Sequence, residues 1–105
     1  MNNYASLLGS LREFAAEMTA LQHRALEEYT PMVEAILRSR SRDARHIERT
    51  LSGLLDFCSH PSALQLYRRL CRHYFEIDPE ATVFYVEAYR EMWDSEGADD
   101  LPAEA

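Results

Sequence analysis

Residues 79 to 94, Pro-Glu-Ala-Thr-Val-Phe-Tyr-Val-Glu-Ala-Tyr-Arg-Glu-Met-Trp-Asp, carry more apolar surface than one neighbouring element can cover. Set at about 100° per residue, Ala81, Phe84, Tyr85, Val86, Ala88, Tyr89, Met92 and Trp93 fill an arc of roughly 200°, about twice the stripe of an ordinary surface helix. Glu80, Glu87, Arg90, Glu91 and Asp94 form the remaining polar strip. Such a helix must be packed from several sides or share part of its surface with another molecule.

The rest of the sequence points to helices as well. Three Gly and four Pro in 105 residues leave too little punctuation for an all-β chain. The expected fold is an all-α bundle of four or five helices, with residues 1–94 as a single domain and 95–105 as an acidic, disordered tail. The first helix is expected from about Asn3 to Tyr29, where Leu7, Leu11, Phe14, Met18, Leu21 and Ala25 alternate spacings of four and three, a coiled-coil-like seam. At 1.5 Å per residue that helix is roughly 40 Å long, longer than the helices that follow can cover, so its free end needs a partner or stands in solvent. Pro31 lacks the N–H that would bond to residue 27, and no Gly follows Glu28 to cap a terminus, which predicts a kinked continuation to about Ser39.

Ser39-Arg-Ser-Arg-Asp43 reads as a connection with Ser41 or Asp43 as the next N-cap. Ile47, Leu51, Leu54, Leu55 and Cys58 give helical periodicity to about Cys58. After the break at Ser59-His60-Pro61-Ser62, Leu64, Tyr67, Leu70, Cys71, Tyr74 and Phe75 share one helix face. Asp78-Pro79-Glu80 opens the last helix with an N-cap, a proline at the first position and an acid in the first turn.

Charge is unevenly spread. Residues 1–37 carry a net charge of −3, residues 38–75 carry +5 and residues 76–105 carry −9. Complementary fields favour docking of the basic middle on the acidic C-terminal third, within one molecule or between copies. No apolar run reaches the ~18 residues of a membrane span, and the N-terminus lacks the basic and apolar regions of a signal peptide, so a cytoplasmic location is expected.

His46-Ile-Glu-Arg-Thr-Leu-Ser-Gly-Leu-Leu-Asp-Phe-Cys58, Tyr67-Arg-Arg-Leu-Cys-Arg-His-Tyr-Phe-Glu-Ile-Asp-Pro-Glu-Ala-Thr82 and Ala88-Tyr-Arg-Glu-Met-Trp-Asp94 lie within about half of the chain. In these stretches the sequence resembles a group of small bacterial proteins, of unassigned activity, associated with mobile genetic elements. The resemblance implies a discrete bacterial protein and no mechanism.

Cys58-Ser-His60 and Cys71-Arg-His73 repeat a C-x-H pattern, but residues i and i+2 of a helix point about 200° apart, so Cys71 and His73 do not share a metal on an intact helix. Two buried, reduced thiols are the simpler reading. The Glu-x-x-His pairs of di-iron bundles are absent, and Asp43-x-x-His46 sits at a helix start where Asp serves as a cap. No phosphate loop or nucleophile elbow is present. A non-enzymatic protein with no cofactor and no evident small-molecule ligand is therefore expected.

Three binding chemistries are left. Tyr85, Tyr89 and Trp93 form an i, i+4, i+8 row suited to a partner or homodimer surface, with Phe84 turned inward, and Leu7 and Leu11 on the first helix join that set. Arg38, Arg40, Arg42, Arg45, Arg49, Arg68, Arg69 and Arg72 are candidates for binding nucleic acid or another anion. Against nucleic acid stands the net charge of −7. Glu80, Glu87, Glu91 and Asp94 lie roughly 5 to 11 Å apart along one strip, overlapping phosphate spacing, as in an acidic mimic of nucleic acid. The leading expectation is a protein-interaction module, self-associating as a homodimer or accessory to a larger bacterial assembly.

Overall fold

The structure, a computed structural model, describes residues 3–94; the expected acidic tail at 95–105 lies outside the described residues. Four helices follow in order: α1 (Asn3–Ser39), α2 (Ala44–Leu55), α3 (Pro61–Phe75) and α4 (Pro79–Trp93). No strand occurs among the described residues, so the chain is a small all-α bundle.

α1 runs through Pro31 as one helix of 37 residues. Pro31 and Glu27 are both exposed, so the Glu27 carbonyl that Pro31 leaves without a backbone donor lies on the solvent side of the helix, where hydration costs little. The helix closes near Ser39 in a Schellman arrangement. The Ser41 N–H donates to the Ile36 carbonyl at 3.1 Å and the Arg40 N–H to the Leu37 carbonyl at 3.2 Å. Arg40 thereby sits in the left-handed region at φ 53°, a position usually held by Gly.

Side chains start the other three helices. Asp43 accepts from the His46 N–H at 3.2 Å, and Asp78 accepts from the Ala81 N–H at 3.0 Å. At α3 the cap is His60, whose Nδ1 accepts from the Ser62 N–H at 3.1 Å, with Pro61 at the first helical position.

α3 is central: it touches α1, α2 and α4, whereas α1 and α4 do not meet. The core comprises Val33 and Ile36 of α1, Ile47, Leu51 and Leu54 of α2, Cys58, and Ala63, Leu66, Tyr67, Leu70, Cys71 and Tyr74 of α3. Truncating a fully buried member such as Leu51 to Ala carries a cost of about 2–5 kcal/mol. α4 contributes no fully buried apolar side chain; it lays Ala81, Tyr85 and Tyr89 against this core. Cα extents of 59 × 41 × 17 Å describe a flat molecule, in which outer helices are covered on one side only.

Candidate interaction surfaces

The longest apolar stripe of the sequence divides in two in the structure. On α1, Leu26, Tyr29, Val33, Ile36 and Leu37 pack into the bundle. Toward the N-terminus, Tyr4, Leu7, Leu8, Leu11, Phe14, Met18 and Leu21 are all exposed. Phe14 is 61% exposed and Tyr4 72%, values far above those of a helix face seated on a neighbour. The boundary falls at Gln22, whose Nε2 donates to Ser59 Oγ at 3.3 Å. From Leu21 back to Asn3 the helix projects past the bundle with its apolar side uncovered. Isolated large apolar side chains on a surface are ordinary, whereas a row of them at heptad spacing along an unsupported helix is an uncovered interface.

The Tyr85, Tyr89 and Trp93 row, expected at a partner surface, makes contacts within the molecule, with Tyr85 and Tyr89 half-buried and Trp93 still exposed. The polar tips of Tyr85 and Trp93 find partners within the molecule. Trp93 Nε1 donates at 2.7 Å to the carbonyl of Leu55, the last residue of α2, which also accepts from the Cys58 N–H at 3.3 Å. The Tyr85 hydroxyl meets Ser52 Oγ at 3.3 Å, and Tyr67 donates its hydroxyl to the Tyr85 carbonyl at 2.7 Å. Tyr89 stacks in a tilted pair with Tyr67, ring centroids 6.2 Å apart. Phe84, expected inward, is 66% exposed, against 38% for Trp93. The two rows are neighbours on the helix, and hydrogen-bond partners on α2 and α3 decide which of them turns in. Phe75 likewise departs from the expected α3 core face and is more than half exposed.

The arginines are not gathered into one site. Arg38, Arg40, Arg42, Arg45 and Arg49 are exposed on the α1–α2 connection and the helix ends beside it. Arg68 and Arg72 face α4, where with Arg90 they line an open groove of 710 Å³ whose walls include Tyr67, Cys71 and Tyr89. Arg69 turns toward α1 and grips Glu34 in a two-point bond at 2.8 and 3.3 Å. The Glu34 carboxyl is held below its usual range by this hydrogen bond and by the Arg69 charge. Docking of the basic middle on the acidic C-terminal third does not occur as ion pairs among the described residues. The long-range pair joins α3 to α1, and the other pair, Arg90 with Glu87 at 4.0 Å, lies within α4. His73 closes the connection from the far side, its Nε2 lying 2.7 Å from the Ser41 carbonyl.

Cys58 and Cys71 are free thiols within the core. Burial pushes Cys58 up to about 12, aided by Cys71 and Asp56, and pushes Cys71 up to about 11. Neutral thiols in apolar surroundings are poor nucleophiles and poor metal ligands. Tyr74 is raised as well, by burial first and then by its hydrogen bond to Glu48. No group of three or more His, Cys, Asp and Glu side chains stands at metal-binding spacing among the described residues, and none of the described helices is long and apolar enough to cross a membrane.

No family model, no curated protein and no solved structure matches this chain.

Proposed function

We propose that this protein is a non-enzymatic protein-interaction module, self-associating or accessory to a larger assembly, whose binding element is the projecting N-terminal part of α1. The observation that carries this reading is the uncovered heptad row from Tyr4 to Leu21 on a helix whose remaining length is fixed in a bundle. A 19-residue helix with an unsupported apolar face gains little stability alone, and partner burial is what such a face offers. The test places a photo-cross-linking amino acid at Leu11 and, separately, at Glu13 on the opposite side of the helix, in cells. A discrete adduct from position 11 and none from position 13 is the expected result. Equal labelling from both, or none from either, overturns the reading.

A second reading has its own observation. Of the eight arginines between residues 38 and 72, only Arg69 has a carboxylate within 4.0 Å among the described residues. Exposed guanidiniums without internal partners suit phosphate or an acidic protein. Replacing Arg38, Arg42 and Arg45 with Ala should then weaken retention on heparin and flatten its salt dependence. Unchanged retention removes this reading.

A further inference from the structure

We infer that the uncovered part of α1 is completed by the same segment of a second copy, running antiparallel, with the two-fold axis passing between residues 12 and 13. This rests on the interaction reading above and names its partner.

The spacing of the seam carries the argument. Tyr4, Leu11 and Met18 occupy one core position of the heptad, and Leu7, Phe14 and Leu21 the other. Antiparallel helices pair one core position with the other, and about this axis the pairs are Leu11 with Phe14 of the second copy, Leu7 with Met18 and Tyr4 with Leu21. Every layer is apolar on both sides. In the flanking positions Leu8 meets Ala15, and Ser10 meets Glu17, so no like charges face each other. The register is set by geometry as well as by composition. Tyr4 of one copy reaches Leu21 of the other, and the next residue, Gln22, is where the bundle begins. The free segment of roughly 28 Å is thus filled end to end, with each bundle beyond the tip of the other helix.

A parallel pair in register fails on the same observation. From Leu26 onward the stripe that would face the partner is covered by α2 and α3, so two bundles would compete for one space at one height. The exposed apolar residues of the segment offer at most on the order of 700 Å² per copy, which places the antiparallel pair between the weak encounters and the ~800 Å² per partner of a standard stable interface.

Light scattering on the purified full-length protein should give twice the 12.2 kDa chain mass at micromolar concentration. Phe14→Glu should raise the dissociation constant more than about 100-fold while leaving the thermal melt of the bundle in place, because Phe14 touches nothing in its own chain's core. Orientation is read by oxidation. Leu7→Cys mixed with Met18→Cys should form a cross-linked pair, whereas Leu7→Cys alone should not, since the two copies of residue 7 stand about 16 Å apart along the axis. Self-cross-linking of Leu7→Cys overturns the antiparallel arrangement. A monomeric mass at 100-fold higher concentration overturns the second copy as occupant, and if the Leu11 photo-adduct with another protein persists in that case, the interaction reading stands without it.

Discussion

Tyr29 of α1 occupies the space above Gly53 of α2: a Cβ at Gly53 would lie 1.9 Å from the Tyr29 hydroxyl oxygen and 2.7 Å from the ring carbon that bears it. The glycine is needed for what stands over it, since its own backbone is ordinary helix. In an open helix interior Gly→Ala is worth about 1 kcal/mol of added stability. Here the sign should reverse, and Gly53→Ala is expected to destabilise by about 1–3 kcal/mol through overpacking. In a Tyr29→Ala background the same change should become neutral or stabilising. Additive costs in that double-mutant cycle, measured by urea denaturation, would contradict the contact. Gly9, whose Cβ would meet nothing within 4 Å, is the internal control, and Gly9→Ala should stabilise.

Arg40→Gly should stabilise the protein by about 0.5–1 kcal/mol, because Arg40 holds the left-handed closing position of α1 at a steric cost that Gly does not incur. Arg40→Ala keeps the strain and should leave the melting temperature nearly unchanged. If Gly at this position lowers the midpoint, the guanidinium is making a stabilising contact that outweighs the backbone.

The two core thiols predict a loss of stability in alkali. In the unfolded chain each cysteine ionises around its ordinary value of 9.0, while in the fold burial holds Cys58 protonated to about 12 and Cys71 to about 11. Above pH 9 the unfolded state therefore binds fewer protons than the native state, and stability falls as pH rises. The full contribution is present below pH 9 and is lost progressively toward pH 11 to 12, on the order of a few kcal/mol in total. Tyr67 and Tyr74, also raised by burial, steepen the fall above 10. Denaturant midpoints between pH 8 and 11 measure this. At pH 8 a thiol reagent should not label Cys58 until the protein is unfolded and should label Cys71, in the wall of the groove, only slowly; rapid labelling of Cys58 in native protein would show that the core is open.

Trp93→Phe removes the indole bond to the Leu55 carbonyl and should lower the stability of the fold by about 0.5–1.5 kcal/mol. The dimer dissociation constant should be unaffected, as Trp93 is anchored to α2 and is remote in sequence from the seam. A changed association constant with an unchanged melt would return Trp93 to an interface role.

Much of this fold was legible in residue order because its determinants are local. Asp43 and Asp78 cap the helices they precede, the periodicity of α3 gives Tyr67, Leu70, Cys71 and Tyr74 of its buried face while missing Ala63 and Leu66 and wrongly including Phe75, and the absence of a capping glycine after Glu28 agrees with a helix that does not stop at Pro31. What escaped depends on groups distant in sequence. Phe84 and Tyr85 are adjacent and equally suited to burial, and the side that turns in is the one where Ser52 on α2 meets the Tyr85 hydroxyl and Tyr67 on α3 bonds the Tyr85 backbone carbonyl. Arg69 is one of eight similar arginines until Glu34, 35 residues earlier, is brought opposite it. The seat for Tyr29 left a trace in the lone glycine of α2, a residue that a helix interior otherwise disfavours.

An unbroken α1 also makes the molecule mechanically asymmetric. Tyr4 stands about 37 Å along the helix axis from Tyr29, where the helix crosses Gly53. A tilt of about 10° at that crossing would carry the tip through roughly 6 Å, more than one helical turn. α1 is in that sense a lever with a short inner limb, and the width of a single methyl group at its fulcrum is magnified into the position of everything its far end can grasp.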